Sequence, residues 1–214
     1  MKSFFKLISK GWLAILAILL SCLGLFLGSG AVLAYYATGT YGSGTYGSCK
    51  YGVQCDITLS SNGSLNLDIT PTTSGKCTIH SDSPSVLTDD TDGYTLTVAD
   101  NSTNTSLVNG ASSISTTSGT VSSPTTLSGN SWGFRVDGLG GFGAGPTTTQ
   151  DNVARGSITF SSVKASNVTA DTIASTSGAA DPAVATTVWY GACADTSVAS
   201  GTYSTQVLYT AIAN

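Results

Sequence analysis

Alternation of period two is the feature that most limits what this chain of 214 residues can become. In "CDITLS", Cys55, Ile57 and Leu59 fall on one face, in "SLNLDIT" Leu65, Leu67 and Ile69 do the same, and in "YTLTVAD" Tyr94, Leu96 and Val98 repeat the pattern. Residues two apart share one side of a strand, so each run offers one side to a core and the other to water. "KCTIH", "SWGFRV", "GSITFS", "TTVWYGACA" and "GTYSTQVLYTAI" extend the series. No segment beyond the first 34 residues reads as a helix. The expected fold is therefore all-β: an immunoglobulin-like antiparallel β-sandwich of roughly seven to ten strands. "SSNG" is expected to close a hairpin between the first two runs, and "DTSVAS" a terminal hairpin between the last two. Residues 101–131 hold 17 Ser or Thr and read as a long loop or a set of edge strands poor in apolar side chains.

The opening of the chain has a different character. Lys2, Lys6 and Lys10 precede an apolar and small-residue run over residues 11–34, the pattern of an export signal, with Val32 and Ala34 as the small residues before a cleavage at Tyr35. An uncleaved membrane anchor is the alternative, since about 20 apolar residues suffice to span a bilayer. The expected organisation is a hydrophobic signal or anchor helix over 1–34, a Gly/Tyr-rich arm with "GTYGS" twice over 35–54, and a β-sandwich domain over 55–214. Contact with a membrane is expected only through the N-terminal segment, if it stays attached. The location implied is extracellular, at the cell surface.

Charge and cysteine use agree with export. All twelve acidic residues are Asp, and without the leader five basic residues face them, a formal charge of −7. Nucleic acid needs a basic surface to displace its counterions, so it is excluded as a partner. Beyond Cys22 of the leader stand Cys49, Cys55, Cys77 and Cys193, an even set that predicts two disulfides with three possible connectivities. The short Cys49–Cys55 spacing suits a local clip and leaves Cys77 to bridge to Cys193 across the sandwich. Zinc would need close cysteine pairs or histidines, and only His80 stands near a cysteine.

Three motifs invite a chemical reading. Gly138, Gly140 and Gly143 spell G-x-G-x-x-G, but the helix that would seat a pyrophosphate is replaced by "AGPTTTQDNVARGS", so no nucleotide cofactor is expected. Asp89, Asp90 and Asp92 before Gly93 are candidate metal ligands of a calcium loop. No distal Glu follows them, and Asp-Gly is a common turn former, so a plain turn is the favoured reading. Trp132, Phe134 and Arg135, with Tyr190, could make an aromatic platform for a glycan, or else belong to the core. Catalysis has little to work with: one His, no Glu and no G-x-S-x-G elbow, so no enzyme is expected, and a carbohydrate-active enzyme with two Asp is the minor alternative.

The strand-and-turn patterns "SLNLDITPT", "DGYTLTV", "NSWGFRVDG", "TVWYGACADTS" and "SGTYSTQVLYTA" resemble secreted Ser/Thr-rich β-sandwich surface proteins of small-genome bacteria that live attached to other cells. The ending is more distantly similar to WxL-type cell-wall-binding domains, with Tyr209-Thr210-Ala211 where that family has its terminal tripeptide. The resemblance implies an exported, non-catalytic surface protein of adhesive or recognition type, partnered by cell-surface or cell-wall components, glycans among them. A structural subunit, pilin-like or coat-like, that self-associates through strand edges is the alternative.

Overall fold

The computed structural model describes residues 56–214. The leader, the arm and the expected Cys49–Cys55 clip lie outside the described residues. The described residues are all-β, with fourteen strands in several sheets. The largest sheet has six strands in the order β5 (Leu107–Asn109), β6 (Ser112–Thr116), β8 (Ser131–Arg135), β13 (Val188–Ala194), β2 (Lys76–Asp82) and β9 (Gln150–Ala154). Its pairs are antiparallel except β6–β8, which is parallel. A three-stranded sheet runs β11 (Asp171–Ser175), β4 (Tyr94–Asp100), β14 (Val207–Ala213). Another runs β1 (Ile57–Ser60), β3 (Ser85–Thr88), β12 (Ala180–Ala185), and β7 (Thr125–Thr126) pairs with β10 (Thr159–Phe160).

The period-two pattern is converted directly into packing. Tyr94, Leu96 and Val98 of β4 are fully buried and share the main core with Trp132 and Phe134 of β8 and with Val188, Tyr190 and Ala192 of β13. Each such aliphatic or aromatic side chain withdrawn from water stabilises by roughly 1.5–3 kcal/mol. The opposite face of the six-stranded sheet has its own cluster, in which Cys77, Ile79, Trp189 and Cys193 pack with Leu127 and Phe160. Consequently all seven residues of β13 are buried, because both faces are covered and both edges are paired. Gly191 of β13 stands opposite Gly133 of β8. A Cβ on Gly191 would strike the Phe160 ring, and one on Gly133 the carbonyl of Ser161, so the glycine pair forms the hollow that seats Phe160.

Two expected hairpins do not form. No strand forms over residues 61–70, although residues 64–70 keep the predicted alternation of half-buried and exposed side chains and Leu65, Leu67 and Ile69 pack against the main core. Their backbone, however, bonds to side chains: Asn62 N–H donates to Asp82 Oδ1 at 3.0 Å, and the Asp68 carbonyl accepts from Thr78 Oγ1 at 2.6 Å. β1 pairs with β3 instead. The terminal hairpin fails for a topological reason. β13 already has β2 and β8 on its two edges, so β14 crosses to pair with β4.

The Cys77–Cys193 disulfide is present. It does not bridge two layers, as expected from sequence, since Cys193 is the direct register partner of Cys77 on the neighbouring strand. It staples one sheet, and still closes a long loop, with a sequence separation of 116. The chain-entropy relation gives about 4–5 kcal/mol for a loop of that size. The double variant Cys77→Ala/Cys193→Ala is therefore expected to unfold in urea with that much less stability and an unchanged β-sheet circular dichroism spectrum. A loss under about 1 kcal/mol would show that ladder and core hold β2 to β13 without the bond.

Candidate functional site

The glycine loop after β8 is built around a cation. Arg135, the last residue of β8, is only 1% exposed, and Asp137 lies two residues on, the spacing that returns a side chain to the same side of an extended chain. Arg135 Nε donates to Asp137 Oδ1 at 2.8 Å, and Nη1 donates to the Thr159 carbonyl at 3.2 Å. Nη2 donates to the carbonyls of Phe142 and Gly143 at 3.2 and 3.3 Å. The guanidinium also lies 5.5 Å from the centre of the Phe142 ring, within cation–π range.

This arrangement is the reverse of a phosphate cradle, which presents backbone N–H groups to an anion. Here the N–H groups of Gly138, Leu139, Gly141 and Phe142 are spent on the carbonyls of Gly143, Val136, Val121 and Leu139. The loop turns carbonyls toward Arg135. Its glycines serve close approach: a Cβ at Gly145 would collide with the Asp137 carboxylate and the Arg135 guanidinium, and one at Gly140 with the Val121 carbonyl.

Beside Arg135, between this loop and the segments entering β9 and β10, opens a cleft of about 370 Å³. Arg135 and Pro146 line it together with Thr147, Thr148, Gln150 and Ser157. Thr147, Thr148 and Ser157 are exposed and Gln150 half-buried. The size falls within the range of small-ligand sites.

The other sequence candidates are placed as follows. Trp132, Phe134 and Tyr190 are between 0 and 6% exposed and face the main core. Trp132 Nε1 donates to the Thr105 carbonyl at 2.9 Å. No ring of the expected aromatic platform is available to stack on a ligand, and Arg135 alone of the four lines the cleft. The Tyr190 hydroxyl meets that of Tyr209 at 2.8 Å, linking β13 to β14, and burial pushes both phenols well above their ordinary pKa.

Asp89, Asp90 and Asp92 do not converge. Asp89 Oδ1 accepts from Asp56 N–H and Asp90 Oδ1 from Asp92 N–H, while Gly93 N–H closes the turn on the Asp90 carbonyl. No group of three metal-ligating side chains occurs among the described residues. His80 Nε2 meets Asp151 Oδ1 at 2.7 Å across β2 and β9. Cys77 is oxidised, and His80, three residues on in the same strand, lies on the other face.

The cleft's hydroxyl and amide rim is the element the sequence reading missed. "PTTTQ" registers there only as an argument against a helix. The i, i+2 spacing of Arg135 and Asp137 is the one local signal of their pairing. The chain matches no protein-family model, no curated protein and no solved structure.

Arg135→Met keeps the side-chain length but leaves three carbonyls without their donor. Asp137, 35% exposed, can rehydrate, so the cost falls mainly on the carbonyls left without a donor, about 1–3 kcal/mol. Urea unfolding of this variant is expected to show a loss in that range, with Arg135→Lys recovering only part of it because an ammonium lacks the planar fork. A neutral Arg135→Met would mean that the loop holds its shape without the cation.

Proposed function

We propose that this is an exported, non-catalytic recognition protein of the cell surface, adhesive in role, whose residues 55–214 form an immunoglobulin-like β-sandwich behind a signal or anchor helix. The two-sheet core supports the sandwich reading, since Tyr94, Leu96 and Val98 of one sheet pack against Trp132, Phe134 and Tyr190 of another. The leader pattern of residues 1–34, the disulfide and the Asp-only acidity support export.

The observation that carries the recognition reading is the cleft. It joins a fixed, buried Arg135 to a rim of hydroxyl and amide side chains, with no nucleophile–base pair in its lining. Such a surface suits binding to polar partners, cell-surface or cell-wall glycans above all. A structural, self-associating subunit is the second reading. It is favoured by Leu208 and Ile212, which are 46% and 58% exposed on the side of β14 away from the core. Exposed apolar side chains on an edge strand, here flanking Thr210, suit a contact between copies.

Deleting the gene in the producing cells and imaging the native surface with a labelled antibody separates the two. The recognition reading expects scattered label and loss of attachment to partner cells in the deletion strain. An ordered lattice or filament, with attachment unchanged, would overturn it in favour of the subunit reading.

A further inference from the structure

We infer that the Arg135 cleft takes one unit of a neutral, polyhydroxylated glycan, recognised by hydrogen bonds and not by charge. The inference rests on the recognition reading and adds that the glycan is neutral. Arginine has five N–H groups. Four of Arg135's are spent, on Asp137 Oδ1 and on the carbonyls of Thr159, Phe142 and Gly143. The fifth, on Nη1, has no acceptor among the described residues, and Arg135 lines the cleft.

Its charge is already balanced by Asp137 at 2.8 Å, in a chain whose acidic residues outnumber its basic ones. A carboxylate or sulfate ligand would gain little attraction from a neutralised guanidinium. A sugar hydroxyl, which both donates and accepts, suits the spare Nη1 N–H and can at the same time bond a hydroxyl or the amide of the rim. The rim supplies the rest. Thr147, Thr148, Gln150 and Ser157 all line the cleft, and none makes a side-chain hydrogen bond with another described residue.

Elsewhere, exposed hydroxyls can pair with one another, as Thr120 does with Ser122. Because four bonds already hold the guanidinium in place, binding need not order it. No aromatic ring is open at the cleft, Phe142 being buried beneath Arg135, so affinity in the millimolar range is expected.

The test is an amide-resolved NMR titration of the exported protein. Methyl glycosides of neutral hexoses are compared with glucuronate and N-acetylneuraminate as anionic probes. At least one neutral glycoside is expected to shift the amides of Thr147, Thr148, Gln150 and Ser157 saturably. Gln150→Ala/Ser157→Ala should weaken it about tenfold. Thr147→Trp, which fills the cleft from its exposed rim, should abolish it in a protein whose remaining spectrum is unchanged. Preferential binding of the anionic probes at these amides would overturn the neutral assignment. Glycoside shifts confined to other residues, or none at all, would remove the cleft as the site. Neither of these last results touches the recognition reading, which stands or falls with attachment in the deletion strain.

Discussion

The interior position of β13 is the constraint on which the other strands depend. A strand with both edges paired and both faces covered favours apolar and small residues throughout, and V-W-Y-G-A-C-A meets that demand over seven residues. Even-numbered Val188, Tyr190, Ala192 and Ala194 look into the main core, while Trp189 and Cys193 look into the second cluster. Each neighbour is then fixed by what β13 offers it. β2 receives the disulfide, β8 matches Gly133 to Gly191, and Tyr209 of β14 reaches the hydroxyl of Tyr190. Apolar clusters cover the sheet on both faces, which gives the apolar residues of a chain with few charges two places to pack.

That second covered face also positions the cleft. Phe160 fills the hollow made by the glycine pair, and Phe134 and Ser161 exchange backbone hydrogen bonds at 3.0 and 2.8 Å. Thr159, held by this anchorage, presents its carbonyl to Arg135. The other side of the guanidinium is held by the glycine loop. A cation with so many acceptors would be costly to bury alone, and the carboxylate with three carbonyls offsets that cost. One arginine thus links the end of β8, the glycine loop and β10, and the groove left among them is lined by side chains that the fold does not use.

What could be read from the sequence follows from burial. β1, β2, β4, β8, β13 and β14 announce themselves because one face or both must be apolar, as with Leu96 and Val98 or Trp189 and Tyr190. β9 and β12 do not. "QDNVA" and "ADPAVA" lie at sheet edges, where five of the six β12 residues are exposed, and an edge strand needs no apolar stripe. The pairing order was also hidden, since it is set by contacts far apart in sequence: the alternation of Leu65, Leu67 and Ile69 locates a buried face but not a hydrogen-bonding partner. Cys77 and Cys193 were paired correctly by elimination, yet their placement side by side needed the register of β2 and β13. In the site, aromatic neighbours made Arg135 look like part of an exposed platform. Only the carbonyls of residues 142, 143 and 159, brought in by the loop and β10, reveal it as an interior charge.

Native-state hydrogen exchange tests most directly whether β13 is the element on which the fold hangs. Amides whose opening requires the whole structure to unfold exchange with the full free energy of stability, while peripheral strands open locally at lower cost. The account predicts that Tyr190, Gly191 and Ala192 exchange only through global unfolding, with protection equal to the stability measured in denaturant, and that β9 and β12 amides exchange earlier. Exchange of the β13 amides through a local opening, with β4 still protected, would contradict it.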